Sequence, residues 1–345
     1  MSAGDLRRWR VRRLGNPADA LELEPVAPRP PGPGEVRVRI EAAGLNHPDL
    51  LLCQGRYQER PPLPFTPGFE AVGRVVERGH GVADDDPARA ARLAPGRRVV
   101  VITELPEGGL SQTLTVEERQ LYPVPDELPV EQAACLHIAA VTAHAALHRR
   151  ARLRPGETVL VTGAAGGVGL AGVQLARAVG SPVIAVVTGA AKARACREAG
   201  ATSVVDLAEL GGDADLAAAV RALTEGRGAD VVLDVVGGPG FDQLRRALAF
   251  EGRLVSVGFT GGIPTVPLNH LLLRNYSVLG LHLTRYRTED PTLLQTVHDE
   301  VVAGALAGAL TPRVHRVVGI EDLLEGLSLL ADRTVIGRVV VDLRG

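Results

Sequence analysis

Residues 157–169 read Glu-Thr-Val-Leu-Val-Thr-Gly-Ala-Ala-Gly-Gly-Val-Gly. An apolar strand, Thr158–Thr162, runs into a glycine-rich turn, and an apolar helix, Val168–Val179, follows. That order of parts suits the pyrophosphate of a dinucleotide. Glycines let backbone approach the phosphates and let the helix pack close to the strand, while the helix N-terminus offers free N–H groups to an anion. Ala165, Gly166, Gly167, Val168 and Gly169 are the candidate cradle. The match to G-x-G-x-x-G is imperfect, because Ala164 stands where the first glycine would be.

A second cluster concerns the ribose. NAD-binding folds carry an acidic residue about 20 residues on, after the second strand, to hold the 2′-hydroxyl. Here Val183–Val187 ends at Thr188-Gly189-Ala190-Ala191-Lys192, with no carboxylate. Thr188 can donate a hydrogen bond, and Lys192 brings a cation. A charge-assisted contact to a phosphate contributes about 1.5–3 kcal/mol, which favours NADPH over NADH.

The elements that must position these residues alternate from Pro129 onward. Strands are expected at Thr158–Thr162, Val183–Val187, Ser203–Asp206, Asp230–Val236, Arg253–Phe259 and Ser277–Leu283. Helices are expected at Val168–Val179, Ala190–Ala199, Asp213–Thr224 and Phe241–Ala249. Continuous Val/Leu/Ile runs between amphipathic helices indicate a parallel sheet covered on both faces, here a Rossmann doubly wound α/β domain. Gly258 and Phe259 sit at a strand's C-terminal end, where such sheets place ligands. Val130–His148 is alanine-rich with helical spacing.

The segment before residue 129 is different. Val36, Val38 and Ile40 alternate with Arg37, Arg39 and Glu41, the period of a half-buried strand. Ala71–Glu77 and Arg97–Thr103 read as further strands of a small β-rich domain. Asp84-Asp85-Asp86-Pro87 reads as a solvated insertion with a helical turn behind it. The arginines between Arg7 and Arg13 read as the exposed face of a first strand. After Gly261 come Val266–Leu273, a helix at Pro291–Ala303, a helix at Glu321–Leu330 and a closing strand, Gly337–Asp342. The last two have no crossover partner, and the simplest arrangement returns them to the first domain. The expected division is residues 1–128 with 304–345, and residues 129–303.

Bulk properties exclude several classes. The 345 residues are enough for two domains, and 46% are hydrophobic and 23% charged, as in soluble globular proteins. A net charge of −2 provides no basic field for nucleic acid or an anionic membrane. No apolar run is long enough to span a bilayer, and no signal region opens the chain. Cys53, Cys135 and Cys196 are far apart and show no metal or disulfide spacing. A cytoplasmic enzyme is the expectation.

Several separated motifs fall in a familiar order. They are Gly44-Leu45-Asn46-His47-Pro48-Asp49, Gln54-Gly55-Arg56-Tyr57, Pro67-Gly68-Phe69-Glu70, the 164–169 turn, Asn269-His270-Leu271-Leu272-Leu273 and Gly337-Arg338-Val339-Val340. The chain resembles the medium-chain dehydrogenase/reductase superfamily over nearly its whole length. Within it, the chain is similar to the zinc-independent quinone oxidoreductase branch. The resemblance implies a GroES-like catalytic domain beside the Rossmann domain.

It also implies site residues. Zinc alcohol dehydrogenases of this superfamily carry a cysteine ligand where Asn46 stands, and a His-Glu pair where Phe69-Glu70 stands. Asn46 and Phe69 cannot replace those ligands, so no metal is expected. A metal-free site needs a substrate that already accepts hydride, such as a quinone or an α,β-unsaturated carbonyl. Asn46, Asp49 and Tyr57 map to the nicotinamide end of the site. Asn46 would bond a carbonyl oxygen or the cofactor ribose, or else its own backbone. Tyr57 is a proton donor or a packing aromatic. Asp49 orients loops or caps a turn, and His47 is a loop histidine or an acid. Thr142 matches a nicotinamide contact. Lys192 and Arg333 match cations that NADPH-dependent relatives place near the phosphate, whereas the tyrosine those relatives use there is Leu207. The implied activity is NADPH-dependent reduction of a small quinone or enone by a homodimer. The alternatives are an enoyl-thioester reductase acting on CoA or carrier-protein substrates, and a non-catalytic NADPH-binding structural or interaction protein.

Overall fold

The computed structural model describes residues 6–210 and 215–345. Seven strands come first: β1 (Arg7–Val11), β2 (Leu21–Pro25), β3 (Glu35–Leu45), β4 (Glu70–Arg78), β5 (Arg98–Ile102), β6 (Thr113–Glu117) and β7 (Leu121–Pro123). Six follow: β8 (Val159–Val161), β9 (Val183–Val187), β10 (Ser203–Asp206), β11 (Ala229–Asp234), β12 (Leu248–Ser256) and β13 (Ser277–Gly280). The chain closes with β14 (Val314–Gly319) and β15 (Arg338–Asp342). Two compact units result, one from residues up to His137 together with Arg313–Gly345, the other from Ile138–Pro312.

The first unit is built on a sheet of order β14-β15-β3-β4-β5-β7, with β6 added to β3. β3 buries Val36, Val38 and Ile40 completely while its alternate residues stay half-exposed. Beyond Ala42 it becomes apolar on both faces, where β15 pairs with it antiparallel from Ala42 to Leu45. Phe65, Leu110, Val99, Val101, Val339 and Val341 complete the core beneath. The N-terminal arginines are exposed at Arg12 and Arg13, but Arg7, Arg8 and Arg10 are partly buried by ion pairs. β1 and β2 are antiparallel partners, and Arg8 meets Glu24 at 2.9 Å, Arg12 meets Glu22 at 3.2 Å and Arg10 meets Glu107 at 3.1 Å. The acidic insertion caps a helix, Pro87–Arg92, by an Asp86 carboxylate accepting from the Arg89 N–H at 3.0 Å.

The second unit is a six-stranded parallel sheet of order β10-β9-β8-β11-β12-β13. Its first strand, β8, lies in the centre, and the winding reverses between β8 and β11. β8 and β9 are buried at every residue, as expected of strands covered on both faces. Helices Gly167–Ala178, Ala190–Glu198, Leu216–Ala222 and Phe241–Ala247 make the crossovers. The expected helix start at Asp213 lies outside the described residues; the described helix begins after Asp215, whose carboxylate accepts from the Ala217 N–H at 2.9 Å.

Some boundaries differ from those expected. β12 begins at Leu248, and a kink at Glu251 (φ 60°) and Gly252 displaces its register against β11. It ends at Ser256, so Gly258 and Phe259 lie in the loop beyond it. β13 stops at Gly280, and Leu283 instead opens the helix Leu283–Glu289. The alanine-rich stretch is not one α-helix. A short turn at Val130–Ala133 is followed by wide π-helical turns at His137–Val141 and Ala145–Arg150, which flank Thr142–His144. Among the described residues, no helix is long and apolar enough to cross a membrane.

Candidate active site

In the second unit, the candidate cofactor residues gather where the parallel sheet reverses. Thr162 leaves β8 and donates its hydroxyl hydrogen to the Asp234 carboxylate at the end of β11, at 2.6 Å. Asp234 is fully buried and also accepts from the Val236 N–H at 3.0 Å and the Gly237 N–H at 3.2 Å. This carboxylate locks the two strand ends that border the crevice. Sequence reasoning did not single it out, although an acidic residue closing a buried strand before Gly237-Gly238 is a visible signal.

The turn then follows. Gly163 has φ 53°, and the helix starts after Gly166, with no side chain capping it. Its first N–H groups have no intrahelical acceptor and face the crevice end of the sheet. The glycines differ in what surrounds them. A Cβ at Gly169 would come within 2.3 Å of the Gly163 carbonyl oxygen, so this glycine is required by the close approach of helix and turn. A Cβ at Gly166 would meet nothing of the protein nearer than 3.4 Å. The space beside Gly166 is open. Ala165, Gly167 and Val168 complete the turn and the first helical residues.

The other predicted cofactor residues of this unit lie along the same edge. The turn reaches β9 through the Ala164 N–H, which donates to the Val186 carbonyl at 3.3 Å. Thr188 is exposed just past β9, and Lys192 is half-buried in the first turn of the next helix. Asp206, at the end of β10, does bring a carboxylate to this corner. It is buried, and one oxygen accepts from the Gly189 N–H at 2.8 Å and the Ala208 N–H at 3.0 Å. It comes from the neighbouring strand, so a search along the chain after β9 could not find it. Gly258 and Phe259 are held beside the end of β11, where the Val257 N–H donates to the Asp234 backbone carbonyl and the Gly261 N–H to the Val236 carbonyl, at 2.9 and 2.8 Å. Thr142 lies between the two π-helical turns, in a turn packed on the helix Gly167–Ala178.

The residues expected at the nicotinamide end belong to the first unit. Asn46 ends β3 and caps the helix His47–Cys53. It is buried, and its amide donates to the Gly44 carbonyl at 3.2 Å. Asp49 folds back: one oxygen accepts from the Asn46 N–H at 2.7 Å and the other from the Gly68 N–H at 2.9 Å. Asp49 therefore fastens the helix start to the Pro67–Phe69 loop and positions Asn46. Complete burial pushes its pKa up to about 6, opposed by the Asn46 N–H, the Arg338 charge and the Gly68 and Phe69 N–H groups. Arg338 itself pairs with fully buried Glu70 at 3.2 Å.

Tyr57 stands edge-on to Phe69, with ring centroids 5.6 Å apart and planes at 64°. Burial raises its pKa, and Glu59 and Asp49 raise it further, so the phenol stays protonated. Packing and proton storage are thus compatible in this residue. Burial, and then the charges of Arg333 and Arg56, lower the pKa of the His47 imidazole. Arg333 is exposed at φ 55° and belongs to this unit, whereas Lys192 belongs to the other. Burial first raises the Cys53 and Cys135 thiols to about 12, which removes them as nucleophiles.

Comparison with known proteins decides the family. Residues 32–126 match the alcohol dehydrogenase GroES-like domain, and residues 167–299 match the zinc-binding dehydrogenase domain. Quinone oxidoreductase-like protein 2 of Rattus norvegicus is 35% identical over 343 residues, covering 99% of this chain and 94% of the rat protein. The chain belongs to the medium-chain dehydrogenase/reductase superfamily, in its quinone oxidoreductase branch. It is an oxidoreductase with a GroES-like domain and a Rossmann domain. A quinone oxidoreductase of Pseudomonas aeruginosa is 32% identical over 339 residues, 97% of this chain and 99% of that protein. Among solved structures, a mycobacterial protein complexed with NADPH superposes with a TM-score of 0.87 at 30% identity, covering 98% of this chain and 100% of that one.

Proposed function

We propose that the protein is an NADPH-dependent oxidoreductase that works without a metal and passes hydride to a quinone or an α,β-unsaturated carbonyl. The observation that carries this reading is the pair Asn46 and Phe69. Zinc needs thiolate, imidazole or carboxylate donors in a tetrahedral array. An amide turned onto the Gly44 carbonyl and a phenyl ring packed on Tyr57 supply neither charge nor lone pairs of that kind. Among the described residues, no group of three His, Cys, Asp or Glu side chains is placed to hold an ion. Without a Lewis acid, the acceptor must be electrophilic through its own conjugation.

The residues present fit a phosphorylated dinucleotide. The room beside Gly166 and the uncapped helix start suit a pyrophosphate, and Thr188 and Lys192 suit the 2′-phosphate. Asp206 opposes a phosphate there, and Lys192 must outweigh it, although one Asp206 oxygen is directed onto the Gly189 and Ala208 N–H groups. The family resemblance implies Arg333 as a second cation for the phosphate, and Thr142 would orient the nicotinamide. Reduced nicotinamide, when bound, supplies the hydride. The Asn46 amide retains a second N–H for the substrate carbonyl oxygen. Tyr57 holds the proton that must follow. Asp49 keeps the helix start, and with it Asn46, in place. The NADPH complex of the mycobacterial relative supports the choice of cofactor.

The exposed edge of β13 and the exposed Leu268 and Leu272 on the helix that precedes it support pairing into a homodimer. The function is tested by following NADPH oxidation with a small quinone and, separately, with crotonyl-CoA. Turnover of the quinone is expected. Turnover of crotonyl-CoA alone would assign an enoyl-thioester reductase, and tight NADPH binding with neither substrate turned over would assign a binding protein.

A further inference from the structure

The second unit carries a cavity of about 260 Å³ far from the cofactor crevice. Arg227 precedes β11, Phe250 lies at the start of β12, and Tyr276 precedes β13. The cavity therefore opens at the N-terminal edge of the parallel sheet. Asp234, at the other end of β11, belongs to the crevice. Six residues of strand put the two sites roughly 15–20 Å apart.

The lining is cationic and partly apolar. Arg221, Arg227 and Arg274 contribute guanidinium groups, and among the described residues no carboxylate lines the cavity. Arg221 is anchored by donating to the Arg246 carbonyl. The Arg227 and Arg274 guanidinium groups make no hydrogen bond or ion pair with the described residues, unlike the arginines of β1, each of which has a carboxylate partner. Phe250 and Leu273 are both 72% exposed at the rim, unusual for side chains of their kind. Tyr276 is buried, and its hydroxyl has no hydrogen-bond partner among the described residues. A buried donor without an acceptor costs free energy until one is supplied.

We propose that this cavity binds a small phosphate monoester with an aromatic or apolar body, at a site separate from the cofactor crevice. Planar guanidinium forks match phosphoryl oxygens in pairs. The exposed Phe250 ring and Leu273 take the body of the ligand. The volume lies below the roughly 300–1,000 Å³ of sites for larger ligands, so one phosphoryl group with a small body fits and a dinucleotide does not.

The test is calorimetric titration of phenyl phosphate into the full chain and into two variants. Arg227→Ser with Arg274→Ser changes exposed, unpaired side chains, and retention of the thermal transition will show that the fold is kept. That double variant is expected to lose at least about tenfold in affinity, whereas Lys192→Ala retains binding. Phe250→Ala should reduce phenyl phosphate to the affinity of inorganic phosphate. Absence of binding by the unaltered protein at millimolar concentrations would overturn the proposal. So would equal binding by the double variant, or loss in Lys192→Ala, which would place the phosphate in the cofactor crevice.

Discussion

Tyr57 is where a single side chain decides most. Its phenol is kept protonated by burial and by two carboxylates, so it can give a proton but cannot take one near neutral pH. Tyr57→Phe is expected to lower kcat for quinone reduction by about 10²-fold while KM changes little. An unchanged kcat in steady-state assays would make the residue a packing aromatic only. Lys192→Ala should weaken NADPH by roughly 10- to 100-fold and leave NADH nearly unaffected, as read by fluorescence titration of each coenzyme. Asp49 titrates against the fold. Its folded pKa, about 6, lies above the ordinary 3.8, so the folded state holds the proton more tightly than the unfolded chain does. Stability from this group therefore falls as pH rises between those values, by an order of 3 kcal/mol, and is level above them. Denaturant midpoints measured from pH 4 to 7 should show this fall, and Asp49→Asn should remove it. Asn46, Asp49 and Tyr57 are legible only through resemblance; of the two backbone bonds that hold Asp49, the one from Asn46 is local, but the one from Gly68 spans 19 residues.

The turn after β8 makes an element-level contrast between two glycines. Gly169→Ala drives a methyl into the Gly163 carbonyl and should destabilise the protein by about 1–3 kcal/mol. Gly166→Ala meets no close protein atom and should leave the melting temperature nearly unchanged while abolishing NADPH binding. Equal thermal penalties in the two variants would show that the space beside Gly166 is not a ligand's. The strands of this unit were legible because strands buried on both faces read as continuous apolar runs. β14 was not, because Val314–Gly319 is an edge strand with three consecutive exposed residues and no alternation. The alanine-rich stretch has helical spacing whether its turns are α or π, so composition could not reveal the wide turns around Thr142. Asp206 was hidden for another reason: sheet order, not sequence order, brings it to Gly189.

At the level of the whole molecule, the order of the parallel sheet and the return of β15 to β3 account for the two-unit architecture. Leu268 and Leu272 are 76% and 78% exposed on the helix that precedes β13, which is an edge strand among the described residues. Light scattering at micromolar concentration should give twice the chain mass, and Leu268→Glu with Leu272→Glu should give the monomer; a monomeric unaltered protein would contradict the pairing. The central claim concerns how hydride reaches its acceptor. Its most direct test is NADPH oxidation by a small quinone after exhaustive dialysis against a chelator, with metal content measured on the same sample. The account predicts full turnover by a protein free of zinc, with NADPH preferred over NADH. Activity that disappears on chelation and returns with added zinc would contradict it.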